Sequence, residues 1–136
     1  MESPSRPARA VCSACLTSTV WRLRRLVARA ALRFADLQNV RTTNYVFDLE
    51  RFTSFEGKTG PYMLYAAVRI KSLLRRAREA GHEPGPVAIE RDTERALVLA
   101  MDGFANALAQ SHAKRQPHIL CEHVYTLAQA FSALYA

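Results

Sequence analysis

Residues 54–77 read Ser-Phe-Glu-Gly-Lys-Thr-Gly-Pro-Tyr-Met-Leu-Tyr-Ala-Ala-Val-Arg-Ile-Lys-Ser-Leu-Leu-Arg-Arg-Ala. Gly57 and Gly60 bracket a turn, and Pro61 suits the first position of a helix, where its missing N–H costs nothing. From Pro61 to about Ala80 the pattern predicts a helix with two stripes. At about 100° per residue, Met63, Ala67, Ile70, Leu74 and Ala77 share one face, the expected core face. Tyr62, Tyr65, Arg69 and Arg76 share another. Aromatic rings beside guanidiniums suit an RNA loop, where unstacked bases and phosphates are both exposed. On residue pattern alone a second reading stands level with it: tyrosines packed at a core edge, with arginine stems covering apolar surface. Gly81 closes the helix, and His82-Glu83-Pro84-Gly85-Pro86 breaks the chain.

Working outward, residues 17–35 read as a helix, with Val20, Leu23, Val27, Ala30, Ala31 and Phe34 near helical spacing. Residues 36–60 are mixed, with Phe47, Leu49, Phe52 and Phe55 available to pack on a core. A third helix is expected from about Ile89 to His112, with Leu97, Met101, Phe104, Ala105 and Leu108 on one stripe. Pro117 opens a fourth from about His118 to the end, with Leu120, Val124, Leu127, Ala128, Phe131 and Tyr135 on its stripe. Four helices with short connectors and no convincing strand pair predict an all-α helical bundle. Residues 1–10, with two prolines and no apolar periodicity, read as a flexible tail.

The formal charge of +7 is unevenly placed. Residues 1–33 hold Arg6, Arg9, Arg22, Arg24, Arg25, Arg29 and Arg33 against Glu2 alone, so the remainder is nearly neutral. Arginine-rich, acid-poor N-termini also occur as organelle transit peptides, a reading ranked below a helix that runs on without a break. Within the body, Arg69, Lys71, Arg75, Arg76 and Arg78 form a second basic run, a local footprint for phosphates. No apolar stretch approaches a membrane span; Ala96 to Leu108 is interrupted by Asp102, Gly103 and Asn106. Three cysteines make no disulfide framework, and a reducing, intracellular setting is the default.

Catalytic chemistry is hard to find. Gly57-Lys58-Thr59 looks like the tail of a P-loop, but Phe52 stands where the first glycine belongs. The turn is better read as a helix start. Cys12-Ser13-Ala14-Cys15 has zinc-ligand spacing, but its candidate partners His118, Cys121 and His123 lie far along the chain, and two small residues in a tail are the preferred reading. Cys121 is expected to be buried or partly so. The four histidines sit near helix ends or on the last helix, which favours capping or solvation over general-base work. Glu90-Arg91-Asp92-Thr93-Glu94-Arg95 is a charged helix start.

Phe55-Glu56-Gly57-Lys58-Thr59-Gly60-Pro61-Tyr62-Met63-Leu64-Tyr65-Ala66-Ala67-Val68-Arg69 resembles the FEGNTAPYLQYAHAR segment of class I arginyl-tRNA synthetases. Leu32-Arg33-Phe34-Ala35-Asp36-Leu37 is similar to that family's ALKYADL-like run, and Arg41-Thr42-Thr43-Asn44-Tyr45-Val46-Phe47-Asp48 to its RTTDYIFD-like run. Glu94 to Tyr135 resembles the start of the family's DALR-type anticodon-binding domain. The resemblance implies a partial anticodon-binding domain over 27–136, with 27–60 as the connection from a catalytic domain and 61–136 as bundle helices. Residues 1–26 form a flexible basic segment unlike the family. It further implies that Tyr62, Tyr65, Arg69 and Arg75 face the anticodon stem and loop of tRNA(Arg), Arg75 lying off the Tyr62 stripe. Leu64 and Ala67 replace a frequent glutamine and histidine of the motif.

The family's HIGH-like and KMSKS-like signatures are not found, and Phe131-Ser132-Ala133-Leu134-Tyr135-Ala136 precedes the DALR signature. The expectation is therefore a fragment of a cytoplasmic enzyme that joins arginine to tRNA with ATP. ATP and arginine would belong to the parent enzyme, with no cofactor in this chain. The expected partners are the tRNA anticodon arm and the missing catalytic domain, with no membrane and no DNA. Arg41 and Asp48 would have lost their partners, and uncovered apolar stripes at 97–108 and 120–135 would promote self-association. The alternatives are a free-standing RNA-binding module and a protein-interaction helical domain.

Overall fold

The computed structural model describes residues 13–46 and 48–135, with side chains from Val20 onward. The expected tail at 1–10, the Cys12–Cys15 pair and Phe47 lie outside the described residues or side chains. Six helices follow one another: α1 (Ser13–Gln38), α2 (Leu49–Thr53), α3 (Gly60–Glu79), α4 (Asp92–Asp102), α5 (Phe104–Lys114) and α6 (Pro117–Tyr135). The described residues contain no strand, as the all-α reading expects. α6 is the hub, touching α1, α3, α4 and α5. α1 crosses the expected boundary between residues 26 and 27 as one unbroken helix.

The start of α3 is fixed by its sequence. The Thr59 hydroxyl accepts from the Tyr62 N–H at 3.2 Å and donates to the Ser54 carbonyl at 2.6 Å. Pro61 follows, fully buried. Gly60 is required by closeness, since a Cβ there would sit 2.0 Å from the Ala30 carbonyl oxygen on α1. At the far end Gly81 (φ +78°) donates to Arg78 and His82 to Ala77, both at 3.0 Å, a Schellman closure.

Three expectations need correction. First, the buried residues of α3 are Gly60, Pro61 and Ala66, while Ala67 is exposed and Leu74 is 51% exposed. Three helices, α1, α2 and α6, pack on α3. α1 shares a hollow with Gly60, Met63 and Leu64, and α6 meets the Tyr62 side, so the buried positions are set by several neighbours and not by one apolar stripe.

Second, the expected single helix over 89–112 begins at Asp92 and divides at Gly103. The Glu94 carboxylate accepts from the Glu90 and Arg91 N–H groups at 2.9 and 3.1 Å, which fixes the start. At the bend a Cβ on Gly103 would lie 3.3 Å from the His123 ring. Bending there lets both halves lie on α6, through Leu97, Ala100, Gly103 and Ala107, which leaves Met101, Phe104 and Leu108 exposed.

Third, the expected packing around 48–55 is only partly formed, beside Asp48, whose carboxylate caps α2 by accepting from the Arg51 N–H at 3.1 Å. Of the aromatic and aliphatic residues expected to pack near it, Phe52 is buried, whereas Leu49 and Phe55 are exposed. Tyr45 lies edge-on to Phe52 and donates to Asp36 at 2.6 Å, tying the α1–α2 connection back to α1.

Candidate nucleic-acid interface

The four expected site residues occupy three different environments. Tyr62 faces α6: its hydroxyl is 3.3 Å from Ser132 Oγ, and its ring stands edge-on to Tyr125 at 6.0 Å between centroids. Arg69, two turns on, lays its guanidinium 4.0 Å over the Tyr135 ring, a cation–π geometry. Ala66, between them on the same side, is buried. Tyr65 is 51% exposed, one turn before Arg69. Arg75 is exposed, with Glu79 at 3.9 Å as its ion-pair neighbour.

Tyr62 and Arg69 thus meet α6 at the α3–α6 seam, with exposed Tyr65 one turn before Arg69, while Arg75, Arg76 and Arg78 stand apart, all exposed. The seam has members on α6 that sequence reasoning assigned no role: Tyr125, Ser132 and Tyr135. Tyr135 had been read only as part of an apolar stripe. No spacing rule pairs residues 62 and 132, so these partners become visible only when the two helices are docked.

The Gly57–Thr59 turn is committed to structure. Lys58 forms an ion pair with Glu122 on α6, Thr59 caps α3, and Gly57 takes φ +72°. Nearby, Cys121 is half-buried, and burial raises its thiol above the ordinary range, with Lys58 acting weakly against that shift. His118 and His123 bury one ring nitrogen each without a hydrogen-bond partner, and Phe104 lies against the His123 ring at 6.0 Å. Among the described residues no three His, Cys, Asp or Glu side chains converge as a metal site, and no helix is long and apolar enough to cross a membrane.

The α3 surface therefore presents one exposed phenol, one guanidinium seated on a ring and an exposed basic segment beyond them. Known proteins agree with this architecture. The profile of the DALR anticodon binding domain matches residues 63–136, more than half of the chain. The chain is 69% identical over 110 residues to an arginine–tRNA ligase of Hyphomonas neptunium, covering 81% of this chain and 19% of that protein. It is 62% identical over 115 residues to the corresponding ligase of Maricaulis maris, covering 85% and 20%. Among solved structures, the Thermus thermophilus arginyl-tRNA synthetase superposes with a TM-score of 0.73 at 34% identity, over 82% of this chain and 18% of that one. The chain thus spans about a fifth of the length of the curated relatives it matches. With the helical fold, the profile match and the similar ligases in agreement, the chain belongs to the DALR anticodon-binding domain family, in the form found in arginine–tRNA ligases.

Proposed function

We propose that this chain provides the surface of an arginine–tRNA ligase that holds the anticodon arm of its tRNA. The observation that carries the reading is the pairing of exposed Tyr65 with Arg69, one turn away and seated on Tyr135. A base can stack on the phenol while the guanidinium reaches a phosphate; Arg75 lies further along the same helix for the stem. Tyr62 acts differently in this reading. Its ring holds α3 to α6, and only its rim serves the RNA.

Within a whole ligase, arginine is attached to tRNA with ATP. The one turn of this chain that looks like a phosphate cradle is occupied in capping α3 and pairing Glu122. The reading therefore assigns the chain RNA binding and no bond-making step. Purified protein incubated with arginine, ATP and tRNA is expected to yield no charged product above blank.

Fluorescence anisotropy with a labelled anticodon stem-loop tests the binding surface. Tyr65→Ala removes a stacked base worth about 1–3 kcal/mol and should weaken binding roughly tenfold or more, with helicity unchanged. Arg69→Ala and Arg75→Ala should also flatten the salt dependence. Ile70→Ala, at a half-buried position one turn beyond buried Ala66, should lower stability and leave affinity intact. Parent-like binding by the Tyr65, Arg69 and Arg75 variants would sink the proposal and favour a protein-interaction domain.

A further inference from the structure

A strongly basic surface lies on α1, away from the seam. Arg22, Arg25, Arg29 and Arg33 are all exposed. At 3.6 residues per turn, spacings of three, four and four place them in a single file within an arc of about 80°. The file extends for about 16 Å along the helix. The opposite side of α1 carries Ala31 and Ala35, both buried against the bundle, so the arginines point directly outward. Arg22, Arg25 and Arg29 share a hollow around Leu26, which confirms that they stand on one face.

None of the four has an acidic partner among the described residues. α1 carries no acid from Ser13 to Ala35, and Asp36 is engaged by Tyr45. Like charges three and four residues apart weaken a helix by a few tenths of a kcal/mol per pair, a cost that an anionic ligand reverses. Guanidiniums in line suit phosphates, which they bind bidentately.

We infer that the arginine file of α1 is a second RNA-backbone site, engaging phosphates outside the anticodon stem-loop held at the α3–α6 seam. The inference rests on the reading that the chain binds tRNA. Its separateness follows from how α1 and α3 run. Gly60 packs on Ala30, and Met63 and Leu64 lie beside Phe34 and Leu37, so the two helices advance together from that contact. Arg69 lies beyond Gly60 in one direction, and Arg25 lies before Ala30 in the other. Their separation along the helix axes is about 20 Å.

A membrane surface is the competing anionic partner, and the geometry disfavours it. An interfacial helix buries its apolar face in lipid. Here the stretch of that face holding Val27, Ala31, Phe34 and Ala35 is turned toward the bundle, and only its first turns, with Val20 and Leu23, are open, so the body of the protein restricts that approach to the start of α1.

The test replaces all four arginines with glutamine in the full chain, with a fourfold Arg→Lys version as control and circular dichroism to verify helicity. Binding is measured against salt for full-length tRNA and for the isolated anticodon stem-loop. At about 0.7–0.9 per phosphate contact, the slope of log affinity against log salt should fall by about 3 for full-length tRNA. It should stay unchanged for the stem-loop, and the lysine version should keep the parent slope. An unchanged slope for full-length tRNA overturns the proposal, and so does an equal fall for the stem-loop, which would make the file part of the seam site. Sedimentation with vesicles of phosphatidylcholine and phosphatidylserine in equal parts, if lost in the glutamine version while tRNA binding persists, assigns the file to lipid. If the parent fails to bind the stem-loop yet binds full-length tRNA through these arginines, the anticodon reading falls and the second site stands.

Discussion

Residues 60–66 and 71–79 belong to the same helix, α3, yet they meet opposite surroundings. The first segment is held on two sides: Gly60, Pro61 and Ala66 are buried, Thr59 caps the end, and Tyr62 reaches across to Ser132. In the second, Ser72 and Ala77 are half-buried and every other side chain is exposed, with Lys71, Arg75, Arg76 and Arg78 in water. One end of the helix is specified by packing and the other by charge. Stability and ligand affinity should therefore respond to different residues of a single element.

The largest effect expected on that contrast comes from Gly60→Ala. The added Cβ would meet the Ala30 carbonyl oxygen at 2.0 Å, a backbone atom that no rotamer change can move. Overpacking of this kind costs about 1–3 kcal/mol or more, and α1 must separate from α3 to relieve it. Chemical denaturation should show the loss. A parent-like midpoint would mean that the α1–α3 contact is looser than the structure shows. Thr59→Ala comes next, because it removes the α3 cap and the bond to Ser54, for about 1–2 kcal/mol. By contrast, Arg76→Ala in the exposed segment should change stability by no more than about 0.5 kcal/mol.

The smallest effect separates α4 from α3 by pH. Hydrogen bonds from the Glu90 N–H, the Arg91 side chain and the Arg91 N–H hold the Glu94 carboxyl below its ordinary range. A depressed folded value means that the stabilisation is present above the unfolded value of 4.5 and is lost as pH falls through the folded one. Protection of the Glu90 and Arg91 amides, taken relative to the intrinsic exchange rate at each pH, should fall on acidification below 4.5, while that at the Thr59-capped start of α3 should not respond. In Glu94→Gln that pH dependence should vanish.

The comparison also shows what could be read from sequence. The limits of α3 were legible because Thr59, Pro61 and Gly81 act locally: a cap, a preset φ and a left-handed closure need no distant partner. The face that α3 buries was not. Averaging apolar residues around the helix places the core near Ile70, whereas α3 is packed by α1, α2 and α6 and buries Gly60, Pro61 and Ala66. The division of the third expected helix at Gly103 escaped for the same reason. Its φ of −63° and ψ of −11° are tolerated by any residue, so nothing local marks it; the crowding comes from His123, twenty residues later. In the candidate site, Tyr65 and Arg69 followed from helical spacing and family resemblance, while Tyr125, Ser132 and Tyr135 required the docked partner helix.

Arg69 on the Tyr135 ring has a thermodynamic consequence for whatever α3 holds. A free arginine side chain gives up about 2 kcal/mol of rotamer entropy when fully fixed. One already laid 4.0 Å over a ring has surrendered part of that freedom during folding. Ligand capture then has less disorder left to remove at Arg69 than at the solvated Arg75. Tyr135→Leu would keep the charge and release the guanidinium, so any loss of affinity in that variant would measure the value of holding the arginine still.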